Sequence, residues 1–115
     1  MAEALAAGAF SAQSFPCDAP LHTPLMEEVA RPLAEICGEY QYREPDLPVM
    51  EHIGQTWLKA AEMAPFMARE LSLPVHWERT YLALKSLGVG RFFEVGSGDS
   101  LKKYNRWIDS EYRTG

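Results

Sequence analysis

The chain lacks any apolar run near the roughly 20 residues that a helix needs to cross a bilayer, so no membrane-spanning helix is expected. It also lacks a basic stripe. Lys and Arg number 11 against 16 Asp and Glu, a net charge of −5, which argues against nucleic acid as a partner. Cysteine is scarce: Cys17 and Cys37 form no C-x-x-C pair and stand at no metal-ligand spacing from a histidine. Neither a disulfide framework nor a metal site is indicated. The opening MAEALAAGAF has no basic residue ahead of its apolar part, as a secretory signal requires, so a cytoplasmic location is expected.

What remains is 115 residues with 47% hydrophobic content, enough for one modest domain with a modest core. The Ala-rich start suits a short helix ended by Gly8, and SAQSFPCDAP reads as an extended segment. Thr23 is a candidate N-cap, with Pro24 at the first helical position and Glu27 and Glu28 near the positive end of the dipole. Leu25, Val29, Leu33 and Ile36 then recur at helical spacing, although Pro32 predicts a kink or an early break. A short strand is expected over 47–50, and Pro65 is expected to divide residues 56–71 into two short helices. Pro74 begins another helix that Gly88 stops. RFFEV reads as a strand, GSGDS as a tight turn, and the last stretch as a helix capped by Asp99 or Ser100. Strand, glycine turn, helix is α/β grammar, with at most three strands.

Two stretches could carry chemistry. EVGSGDS places glycines between a strand and a helix, where backbone amides can approach an anion. A dinucleotide fingerprint would need glycine at position 101, where Leu101 stands. The stretch also resembles the first motif of S-adenosylmethionine-dependent methyltransferases, but the acidic strand end that grips the ribose has no counterpart in the 17 residues after Gly98. A structural glycine turn is the favoured reading. The second stretch is APLHTPLMEE, where His22 lies between two prolines at a helix entrance. His52 and His76 read as ordinary loop histidines. His22 is a possible general base, but no Ser or Cys sits in a G-x-S-x-G elbow to be activated by it. Asp18 is near it only in sequence.

From about Ala19 to Ile108 the motifs resemble those of malonyl-CoA:acyl carrier protein transacylases and of the acyltransferase domains of polyketide and fatty acid synthases. APLHTPLME is similar to that family's A-P-F-H-S-P-L-M segment. LPVHWERTYLALKSLGVGRFFEVGSG is similar to S-P-V-x-W, then L-x-x-x-G-V, then F-x-E-V-G-P-G. The resemblance implies an α/β fold: the C-terminal part of an α/β-hydrolase-like acyltransferase subdomain over 18–115, with residues 1–17 as the tail of a ferredoxin-like small subdomain. It implies a Ser-His transfer of an acyl group from coenzyme A to the phosphopantetheine thiol of an acyl carrier protein, with acyl-CoA as substrate and no separate cofactor. His22 takes the place of the catalytic base. Leu21 and Glu70 become substrate-adjacent, and the backbone carbonyl at the Glu70 position steadies the histidine ring.

The sequence departs from that family in what it omits. The G-H-S-x-G elbow, the G-Q-G oxyanion segment and the carboxylate-binding arginine have no counterpart here, and only 21 residues precede His22. Leu21 replaces a phenylalanine, and Ser97 and Asp99 replace the usual proline and lysine after EVG. Three readings follow. The chain is a C-terminal piece of a larger acyltransferase, inactive alone; or half of a split enzyme whose serine arrives on another chain; or a non-catalytic interaction module derived from the family. A methyltransferase fragment is the alternative outside it. In the first two readings, apolar surface left uncovered makes the isolated chain self-associate or bind its missing half.

Overall fold

The computed structural model describes residues 1–14 and 17–113; Phe15 and Pro16, inside the segment expected to be extended, lie outside them. Among the described residues five helices form: α1 (Ala2–Ala6), α2 (Glu27–Gly38), α3 (Ala60–Arg69), α4 (Trp77–Ser86) and α5 (Ser100–Arg113). Two 3₁₀ turns, Pro24–Met26 and Glu70–Ser72, sit at the start of α2 and the end of α3. Gly8 ends α1 with φ 95°, and Gly88 stops α4 with φ 89°, its amide bonded to the Lys85 carbonyl at 2.9 Å. Both glycines occupy the left-handed conformation that other residues reach at a cost.

The prolines act differently from expectation. Both α2 and α3 continue through Pro32 and Pro65, so neither proline breaks its helix. Each proline removes one bond, to the carbonyls of Glu28 and Ala61 respectively, and all four residues are exposed, so water can take up the freed carbonyls. Thr23 stands at the entrance but caps nothing; its hydroxyl donates to the Pro20 carbonyl at 2.7 Å. The next helix begins at Trp77 rather than at Pro74. At the start of α3, the Lys59 and Ala60 amides are met by the carboxylates of Glu62 (3.1 Å) and Glu44 (3.2 Å). Two acids thereby satisfy helix donors that would otherwise need water.

The sheet component of the expected α/β fold is not found among the described residues. Their β structure is one antiparallel bridge, Met50 to Trp57, in place of the strand expected over 47–50. RFFEV forms no ladder, and Phe93 and Val95 are 84% and 95% exposed. A strand is stable only when its backbone is paired by neighbours, and this segment has none within the described residues.

Packing is in two halves. α2 lies against α3 with the two 3₁₀ turns between them, and α5 lies against α4. Met26, Cys37, Leu58 and Ala68 form the buried centre of the first half; Tyr81 and Ile108 form that of the second. Between α4 and α5 the contacts are partly polar: Trp77 Nε1 donates to Asn105 at 2.8 Å, and the Tyr81 hydroxyl to Asp109 at 3.0 Å. The Tyr81 ring also meets Phe92 at 4.7 Å between centroids. The radius of gyration is 16.9 Å, against about 13 Å for a compact chain of this length. The accessible surface of 9452 Å² likewise exceeds the roughly 6,300 Å² of a compact protein of this mass. Much apolar side-chain area therefore faces outward.

One polar group is buried within the turn at 51–56. Glu51 is 5% exposed, and its carboxylate accepts the amides of Ile53 (2.6 Å), Gly54 (2.7 Å) and Thr56 (3.2 Å) and the Thr56 hydroxyl (3.1 Å). Burial works to raise its pKa, but the hydrogen bonds from Ile53, Thr56 and Gly54 outweigh it, and the carboxyl is held below its ordinary range. A group depressed in the folded state stabilises above its unfolded pKa and loses that contribution as pH falls through the folded one. Glu51→Gln should therefore destabilise by about 2 kcal/mol at pH 7, since it leaves buried donors short of acceptors. The gap to the native chain should close as the solution is acidified below about pH 4. Urea midpoints across that range test this, and a pH-independent gap would contradict it. Gly54→Ala should act in the same direction, because a Cβ there would stand 2.9 Å from Glu51 Oε1.

Candidate active site

His22 enters the structure at the join of the loop and the first 3₁₀ turn, with φ 61°. A non-glycine residue in this region carries strain of about 1 kcal/mol or more and persists only when its surroundings hold it. Two carbonyls from the end of α3 do so. The His22 amide donates to the Leu71 carbonyl at 2.9 Å, and ring Nδ1 lies 3.0 Å from the Glu70 carbonyl. A carbonyl only accepts, so Nδ1 carries the proton and Nε2 is left with the lone pair in the neutral ring. The part-buried ring thus has its proton-accepting nitrogen without a partner among the described residues and its orientation set from behind.

The local sequence explains why those carbonyls are available. Near the C-terminus of a helix the last carbonyls have no intrahelical partner. The amide that would complete an α-type bond to Glu70 belongs to position 74, and Pro74 has none. The Glu70 carbonyl instead takes the Leu73 amide at 3.3 Å, closing the 3₁₀ turn, and keeps room for His22. The contact expected at the Glu70 backbone is therefore present. The ring's partner comes from 48 residues along the chain rather than from Asp18. Leu21, beside His22, is exposed.

The structure adds a residue that sequence reasoning set aside. His52 is a loop histidine as expected, but its partners come from a distance: its Nε2 lies 3.0 Å from the Glu70 carboxylate, its ring stands edge-on to Phe66 at 5.5 Å, and it faces the His22 ring at 6.3 Å. Its Nδ1 is buried without a hydrogen-bond partner among the described residues. The sequence offered no signal for this, because the grouping joins a turn at 51–56 to the far end of α3. His76 does behave as a helix-entrance residue, its carbonyl accepting the Thr80 amide and hydroxyl. Both cysteines are free, with Cys37 buried.

EVGSGDS forms the tight turn expected, with φ 130° at Gly96 and 102° at Gly98. The anion position at the start of α5 is filled from within: the Glu94 carboxylate accepts the Leu101 amide at 3.1 Å and the Lys102 amide at 3.0 Å. Asp99 pairs with Lys103 at 2.9 Å rather than serving as the side-chain cap. Glu94 does the work of a cap from six residues upstream of the helix.

Solved structures similar to this chain are acyltransferases. The chain's fold is similar to part of the acyltransferase fold. More narrowly, the chain is similar to malonyl-CoA:acyl carrier protein transacylases, as its three motifs suggested. It superposes on the malonyl CoA-acyl carrier protein transacylase of Coxiella burnetii with a TM-score of 0.86 and 26% identity, covering 95% of this chain and 35% of that one. For the transacylase of Xanthomonas oryzae the TM-score is 0.83 at 29% identity, with 95% and 35% covered. For a type II polyketide malonyl-transacylase solved in complex with its acyl-carrier protein, the values are 0.79 and 29%, with 86% and 32% covered. Among curated proteins it is 24% identical over 101 residues to the polyketide biosynthesis protein ThaF of Burkholderia thailandensis, spanning 88% of this chain and 9% of that protein. No protein-family model matches the chain. It spans about a third of the length of these solved transacylases.

With Glu94 in the anion position, a calorimetric titration with S-adenosylmethionine should give no saturable heat; a saturating isotherm would restore the methyltransferase reading. Glu94→Ala should lower stability by about 1 kcal/mol, the usual cost of losing a helix cap, as read from the thermal midpoint.

Proposed function

We propose that this chain supplies the histidine-bearing portion of an acyltransferase of the malonyl-CoA:acyl carrier protein transacylase type. The observation that carries the reading is the hold on His22: a strained backbone, an Nδ1–H bonded to the Glu70 carbonyl, and a free Nε2. That is the arrangement a base-then-acid catalyst needs. A serine hydroxyl attacks the thioester carbon of an acyl-CoA while His22 Nε2 accepts its proton. The new C–O bond forms, the C–S bond breaks, and the imidazolium returns the proton to the coenzyme A thiolate. An acyl carrier protein thiol then attacks the ester, gives its proton to His22, and frees the serine as the proton passes back to its oxygen.

None of the serines among these 115 residues lies in a nucleophile elbow. The nucleophile in this proposal therefore comes from outside the sequence, on a longer chain or on a partner, and the chain alone transfers nothing. The outward apolar surface supports that reading. Exposed Phe93 and Val95 lie on a segment suited to pair with strands of the missing part, and the groove of about 660 Å³ beside it is lined by Trp77, Tyr81 and Phe92. Residues 18–115 would then be the C-terminal part of the α/β subdomain. Residues 1–17 would be the tail of the small one, consistent with α1 packing on no other helix among the described residues.

Two outcomes follow. With malonyl-CoA and holo acyl carrier protein, the chain alone should form no acyl carrier product. Supplied with a serine-bearing acyltransferase segment it should do so, and His22→Ala should cut the rate by roughly 100- to 10,000-fold. A complex that forms yet stays inactive, or a His22→Ala variant as fast as native, would refute the proposal in favour of an interaction module. In sedimentation the isolated chain should exceed monomer size; a clean monomer with a sharp thermal transition would contradict the uncovered-surface argument.

A further inference from the structure

Glu70 is used twice. Its backbone carbonyl receives His22 Nδ1–H at 3.0 Å, and its carboxylate receives His52 Nε2 at 3.0 Å. We infer that His52 is a positioning residue for His22, acting through the Glu70 side chain to fix the direction of the Glu70 carbonyl. The inference deepens the reading of His22 as a general base, and it rests on that reading for its catalytic meaning.

Four observations support it. The first is the weak local tether on the carbonyl: in the 3₁₀ turn its backbone partner is the Leu73 amide at 3.3 Å, a long bond. A helix end of this kind rotates its carbonyls easily unless something outside the turn restrains it. The second is the geometry of the restraint. Nε2–H on a carboxylate is a charge-assisted bond, and it anchors Glu70 from the side-chain end while the carbonyl points to His22. The third is the rigidity of His52 itself. Its ring is wedged against Phe66, and its backbone belongs to the turn whose other amides are gathered by the buried Glu51 carboxylate.

The fourth observation is the cost of keeping His52 there. Among the described residues its Nδ1 is buried with no partner, an unfavourable state for a polar atom. The benefit lies at the other nitrogen, where the bond to Glu70 closes a chain of contacts running from the 51–56 turn through the end of α3 to the His22 ring. A carbonyl turned away would leave Nδ1–H without its acceptor, so the ring could exchange tautomers and present N–H where the lone pair is needed.

The test reads the His22 ring directly and requires no acyl transfer, so it stands or falls separately from the proposed activity. In nitrogen-15 spectra of the native chain, His22 should show a single Nδ1–H tautomer with a slowly exchanging ring proton. Glu70→Ala keeps the backbone carbonyl but removes the anchor, and it should lose that ring-proton signal. His52→Ala should lose it too, and the double variant should be no worse than either single one. Glu70→Gln, which can still accept from His52, should retain it. A merely structural role would lower the thermal midpoint of the variants yet leave the His22 tautomer untouched. That pattern, or loss in Glu70→Gln equal to that in Glu70→Ala, would overturn the inference. Should His52→Ala fail to fold, the contrast between Glu70→Ala and Glu70→Gln decides the matter.

Discussion

Two backbone carbonyls at the end of α3 determine the site. Glu70 and Leu71 reach across to His22, tying a loop near the start of the chain to a helix end 48 residues later. Without those bonds a histidine with positive φ between two prolines would relax to an ordinary extended loop. With them, the imidazole is bound at Nδ1, free at Nε2 and fixed in orientation. The packing of α2 on α3 and the meeting of the two 3₁₀ turns bring the partners within reach. The helices of this half serve as the scaffold for one side chain.

The second half of the chain has a different status. α4 and α5 are joined through buried Tyr81, buried Ile108 and a set of polar bonds, while the RFFEV segment expected as a strand has no ladder partner among the described residues. A surface half again as large as a compact protein of this size would expose fits elements that complete their packing elsewhere. Uncovered apolar area of this extent weakens the chain on its own and favours association with a surface that covers it.

How much of this the sequence revealed depended on the range of the interaction. Local backbone chemistry was legible: Gly8 and Gly88 stop their helices, the glycines of GSGDS turn, and His22 at its helix entrance pointed to the site. Resemblance supplied the Glu70 carbonyl, which no pattern around position 22 could have named. A helix break was misjudged at Pro32 and at Pro65, because the cost of a proline depends on whether water can reach the freed carbonyl, and both positions are exposed. Strands were expected at 47–50 and in RFFEV because composition favours them, but pairing is a property of neighbours. Side-chain reach over a distance was invisible. Glu94 capping α5, Glu51 gathering its turn, and His52 meeting Glu70 each join positions that no periodicity connects.

The proposed chemistry requires His22 to be held by the end of α3, and amide hydrogen exchange tests that most directly. The His22 amide should be protected to the same degree as amides in the middle of α3, since both open only when the α2–α3 packing opens. Exchange at the rate of an unstructured loop would mean that the bond to Leu71 is not maintained in solution, and the fixed imidazole would be lost with it.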